Sequence, residues 1–178
     1  MDNFIDLYDA FESNNHLKPN FEKNIFNSLH SWDLGWAILE PLNIAADKDQ
    51  EKLLSKRFSP GQKLLYFFWY LDAEVTNGGF IQFYWNNNRP YLSPILNGLN
   101  LIGDHDLKNL VEVVDSAYLA NKDKFTALAN KEDGLESLYD ALTSFDEFDA
   151  QYYKVHERTM ELIEKYIRDN PDEFVRLQ

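Results

Sequence analysis

Apolar residues in this chain crowd one stretch without regard to helical face. Residues 64–71 read LLYFFWYL, with no polar side. A helix apolar all round is buried on every side. Nine of the chain's twenty-seven aromatic residues lie between Tyr66 and Trp85. A large aromatic removes ~150–250 Å² from water when buried, so this stretch predicts the centre of the core. Ser59-Pro60-Gly61-Gln62 marks its start: serine at the N-cap, proline at the first helical position, glutamine where a capping box needs it. Asn77-Gly78-Gly79-Phe80 marks its end, because glycine tolerates the left-handed backbone just past a helix. The pattern predicts a central helix over 59–76, then a second short helix with Phe80, Phe83 and Tyr84 at i, i+3 and i+4.

Helical periodicity continues on both sides. Residues 3–13 present Phe4, Ile5, Leu7, Tyr8 and Phe11 on one face, and 21–30 present Phe21, Ile25, Phe26 and Leu29. Residues 34–42 extend this past a kink near Gly35, with Pro41 disturbing the end, and the charged run 48–57 reads as a surface turn or helix end. Further helices are predicted over 94–102, closed by Gly103, and over 104–119, capped by Asp104 with Leu107, Leu110, Val111, Val114 and Tyr118 inward. Residues 135–142 predict a short helix. Residues 148–168 predict a long one, with apolar stripes of Tyr152, Val155, Thr159, Leu162 and Tyr166 and of Tyr153, Met160, Ile163 and Ile167. No strand-like alternation exceeds a few residues. The fold class is therefore all-α: a single compact helical domain around the apolar helix. Residues 1–57 form an N-terminal helical extension packed on the main domain at 58–170, and 171–178 are a tail.

Charge changes this picture. The chain carries −13, distributed as −4 over 1–58, 0 over 59–103 and −9 over 104–178. A neutral middle with acidic ends suits a core element wrapped by solvated helices. It argues against direct binding to nucleic acid or an anionic membrane, which need a positive surface. The N-terminus lacks the basic-then-apolar pattern of a signal peptide, and the expectation is a soluble cytoplasmic protein. The absence of cysteine excludes disulfides and thiolate chemistry.

Enzyme signatures are not found. His16, His30, His105 and His156 lie in unrelated contexts, and Asp104-His105-Asp106 reads as a helix cap. His156-Glu157 opens like a zinc-protease helix, but Met160 stands where the second histidine belongs. No metal, cofactor or catalytic residue is expected. Two features remain. Glu74, Asn77, Gln82 and Asn86 surround the Gly78-Gly79 corner, either as a hydrogen-bond network bracing the turn or as a small-ligand or enzymatic pocket. The second is an acidic set: Asp133, Glu136 and Asp140, then Asp146, Glu147 and Asp149, then Glu157, Glu161 and Glu164. Carboxylates on helices rising ~1.5 Å per residue can lay out a phosphate-like field, since duplex DNA carries one charge per ~1.7 Å. Against this, Glu161–Lys165 and Glu164–Arg168 are oriented to pair at i, i+4. Trp85 and Tyr91, if exposed, would suit a dimer contact.

Pro60-Gly61 leading into an aromatic helix, then Glu74-Val75-Thr76-Asn77-Gly78-Gly79-Phe80-Ile81-Gln82-Phe83-Tyr84 and Asn86, resembles a bacterial family of helical domains named for an acidic DNA-mimic protein. The segments LNLIG at 99–103 and 145–168, with Tyr152-Tyr153 and Tyr166-Ile167-Arg168, are similar too, so that the resemblance covers 58–170. It implies an all-α fold, a basic DNA-binding protein partner bound in place of DNA, and a homodimer. Most relatives have no assigned function. The expectation is a non-enzymatic acidic interaction protein whose partner surface is the carboxylate set. Small-ligand binding at the corner and a purely structural dimerisation module are the alternatives.

Overall fold

A computed structural model describes residues 8–178. Ten helices follow in chain order: α1 (Lys23–Ser28), α2 (Ser31–Leu39), α3 (Lys48–Ser55), α4 (Pro60–Trp85), α5 (Leu92–Ile102), α6 (His105–Ala120), α7 (Lys122–Leu128), α8 (Gly134–Ala141), α9 (Phe145–Asp169) and α10 (Pro171–Phe174). Two two-residue strands, β1 (Asn20–Phe21) and β2 (Arg176–Leu177), pair in parallel. The fold is all-α, and none of the described helices is long and apolar enough to cross a membrane.

The capping box at the start of α4 forms as the sequence predicts. Ser59 Oγ accepts from Gln62 N–H at 3.1 Å, and Gln62 Oε1 accepts from Ser59 N–H at 2.9 Å. Gln62 also donates to the carbonyls of Leu17 and Phe174, both at 2.9 Å. Glu173 accepts from Gly61 N–H at 2.7 Å. One helix start thereby ties both ends of the described chain together, close to the β1–β2 pair. From there Leu64, Leu65, Tyr66, Phe67, Phe68 and Leu71 are all buried, with α5, α9 and α2 packed around them. The same core takes Tyr8, Phe26, Leu34, Ile38, Leu39 and Leu42 from the N-terminal part. Asp104 caps α6 by accepting from Leu107 N–H at 3.1 Å, and Thr159 of α9 donates to its other oxygen at 2.5 Å.

Several expectations need correction. The predicted helix over 3–13 lies partly outside the described residues, and residues 8–12 are not helical. Helix α1 begins only at Lys23, because Asn20 and Phe21 pair with the tail. Helix α7 had no clear apolar stripe to announce it, with Phe125 as its one buried residue. Tyr91 is buried, not available for a dimer contact: its ring sits 5.0–5.4 Å from those of Phe67, Tyr70 and Tyr8. Tyr153, placed on an inward stripe, is 57% exposed.

The run 48–57, expected at the surface, is the helix α3 with Glu51 turned inward at 5% exposure. Its carboxylate accepts from Tyr8 Oη at 3.0 Å and Tyr66 Oη at 3.4 Å. Burial, reinforced by the Glu51 charge, pushes the phenols of Tyr8, Tyr66 and Tyr91 far above their ordinary range. Lys63 is also buried, donating to Ala10 O at 2.5 Å, and burial lowers its pKa from 10.5 to about 8.

These shifts set an alkaline stability profile. A lysine depressed in the folded state contributes stability that is present above its unfolded pKa and lost as pH falls through the folded one. Stability therefore rises from about pH 8 towards 10 on account of Lys63. Phenols raised in the folded state do the opposite: their contribution is complete below about pH 10 and is lost above it. Thermal melts should show a maximum between the two limits. Lys63→Met should flatten the climb while leaving the alkaline fall, and an unchanged climb in that variant would count against the assignment.

Candidate functional site

Helix α4 breaks where its sequence says it should. Gly78 has φ −153° and Gly79 has φ +72° with ψ −179°, a backbone that essentially only glycine adopts. The turn is held from two other helices. Asp149 of α9 accepts from Phe80 N–H at 2.9 Å, and Tyr139 of α8 donates to Gly78 O at 2.6 Å. Burial raises the Asp149 pKa, opposed by the Phe80 N–H that favours its charged form.

Across this corner the four residues singled out from the sequence do meet. Glu74 accepts from Gln82 Nε2 at 2.7 Å and from Asn86 Nδ2 at 2.8 Å, and Asn77 donates to Gln82 Oε1 at 3.1 Å. A fifth member, Asn88, was missed. It is buried and donates to Glu74 Oε1 at 3.1 Å, and nothing in the run Asn86-Asn87-Asn88 distinguishes it from its neighbours. Both Glu74 oxygens are thus engaged by neutral amides. Such an arrangement pins the two limbs of α4 together. It places no nucleophile beside a base.

The acidic set divides by surroundings. Asp133, Glu136, Asp140, Asp146, Glu147, Glu157 and Glu161 are exposed. Asp149 is turned to the corner. Glu164 is half-buried and accepts from Ser31 N–H at 2.6 Å and Arg168 at 2.8 Å, which together with His30 hold its pKa below the usual carboxylate range against burial. Counting 100° per residue along α9, Asp146, Glu157, Glu161 and Glu164 fall within about 60° of one another and span about 27 Å. The expected Glu164–Arg168 pair forms. The expected Glu161–Lys165 pair does not, because Lys165 bonds Asp169. Arg158 bonds Asp106 of α6. Glu157 and Glu161 are left with neither hydrogen bond nor ion pair among the described residues.

Beside these two carboxylates, α2, α4 and α9 enclose a cleft of about 490 Å³ lined by Trp32, Asp72, His156, Met160 and Glu164. At its base Asp72 accepts from Tyr152 Oη at 2.7 Å and lies 2.8 Å from His156 Nε2. That carboxylate holds the His156 pKa above its ordinary value, outweighing burial. No local pattern announces the cleft, because its walls come from three elements spaced roughly 40 and 85 residues apart.

The chain is 25% identical over 121 residues to the DNA mimic protein DMP19 of Neisseria meningitidis serogroup B (strain ATCC BAA-335 / MC58), an alignment covering 67% of this chain and 73% of that protein. Residues 56–170 match the sequence profile of DMP19-like proteins. The match runs from just before the capped start of α4, through the Gly78-Gly79 break, to the end of α9, and the chain belongs to the DMP19-like protein family.

Proposed function

We propose that this protein is a DNA mimic: a non-enzymatic, acidic partner that occupies the basic surface of a DNA-binding protein. The observation that carries the reading is the line of exposed carboxylates Asp146, Glu157 and Glu161 along α9, the last two unpaired, which runs about 22 Å at helical rise and continues to the half-buried Glu164. Asp133, Glu136 and Asp140 on and beside α8, with Asp146 and Glu147 at the start of α9, extend the negative field. The name of the meningococcal relative agrees with this reading. A cytoplasmic location and a homodimer belong to the proposal on sequence and family grounds.

Duplex competition tests it. Immobilised protein should retain basic DNA-binding proteins at low salt, release them on addition of duplex DNA, and bind them about tenfold or more weakly between 50 and 300 mM salt. Retention indifferent to both duplex and salt would exclude the mimic role.

A further inference from the structure

We propose that the cleft between α2, α4 and α9 receives an arginine side chain of the basic protein partner, an inference that rests on the reading above and locates one of its contacts. The volume, about 490 Å³, falls within the ~300–1,000 Å³ typical of ligand pockets. One part of the lining is apolar. Trp32 is fixed in orientation by stacking on Trp69 (centroids 4.6 Å apart, planes 13° apart), and Met160 packs nearby. The remainder is polar and mostly carboxylate, with Glu157 and Glu161 unpaired, Glu164 held in place by Ser31 N–H and Arg168, and Asp72 facing His156 at the base.

Charge complementarity selects a cation, and the mixed lining selects its type. A guanidinium is planar and weakly hydrated. It can lie on an indole face while offering parallel N–H donors to a carboxylate, and its aliphatic stem covers the apolar wall. A lysine ammonium is a strongly hydrated point charge that cannot use the flat ring and the carboxylates in the same way. Salt bridges occupy Arg158 and Lys165, and His156 turns its Nε2 to Asp72, so none of these three forms an ion pair with Glu157 or Glu161.

The test is calorimetric titration of the full chain with acetylated, amidated hexa-arginine and hexa-lysine peptides of equal charge. Hexa-arginine should bind at least about fivefold more tightly than hexa-lysine, and both Trp32→Leu and the pair Glu157→Gln/Glu161→Gln should weaken it about tenfold. The control pair Glu22→Gln/Glu40→Gln, exposed and outside the proposed partner surface, makes the same charge change and should weaken it less than about twofold. The two α9 glutamates are exposed, so that pair keeps the test valid even if Trp32→Leu fails to fold. Equal losses from the α9 pair and the control pair, or equal binding of the two peptides, would overturn the arginine cleft and leave the extended acidic surface standing. No binding of either peptide would overturn both.

Discussion

Gly79→Ala should lower the unfolding free energy by about 3 kcal/mol, read as a shift in the urea midpoint. Two effects add at this position. The backbone at φ +72°, ψ −179° is a conformation that costs ~1–3 kcal/mol for any residue with a Cβ. The added Cβ would also stand 2.2 Å from Asp149 Oδ2 and 2.8 Å from its Cγ. Relief requires Asp149 to swing away, which breaks its bond to Phe80 N–H and leaves that donor unpaired at ~1–3 kcal/mol. Gly78→Ala supplies the control. Its φ of −153° suits any residue, and its Cβ would meet the ends of the Gln82 and Tyr139 side chains, which can move only by loosening their bonds to Glu74, Asn77 and Gly78 O. Its cost should be smaller, about 1–2 kcal/mol. Equal effects from both glycines would mean that the break in α4 is not held by Asp149.

The pair also shows what the sequence could carry. Local chemistry was legible: Ser59-Pro60-Gly61-Gln62 specifies a helix start from its own atoms, Gly78-Gly79 a break, Gly103 a left-handed closure at φ +75°, and Asp104 a cap. Long-range choices were not. That Asp149, rather than Asp146 or Glu147, turns inward depends on where α9 crosses the corner. Lys165 has carboxylates at both 161 and 169, equally spaced, and only the folded helix shows that it bonds Asp169 and leaves Glu161 free. The β1–β2 pair is two residues long and has no alternation to read. The cleft follows the same rule. Trp32, Asp72 and Glu157 acquire a common purpose only when three helices bring them together.

Glu51 gives the largest misreading, and the second large prediction. The run Lys48-Asp49-Gln50-Glu51-Lys52 looks solvated because four of its five residues are charged, two of each sign. One carboxylate among them nevertheless points into a box of aromatic rings, where Tyr8 Oη lies 3.0 Å from one oxygen and Tyr66 Oη 3.4 Å from the other. Phenols bring an apolar ring and a polar tip together. A core built from Tyr8, Tyr66, Tyr70 and Tyr91 therefore needs an acceptor at its centre, and Glu51 supplies it. Glu51→Leu keeps much of the volume but removes the acceptor, stranding buried hydroxyls. Its expected cost is about 3 kcal/mol. Glu51→Gln retains one carbonyl oxygen and adds an amide that can donate to a phenol oxygen, so it should cost only about 1 kcal/mol. A leucine variant as stable as the glutamine variant would show that the tyrosines hold this part of the core by packing alone.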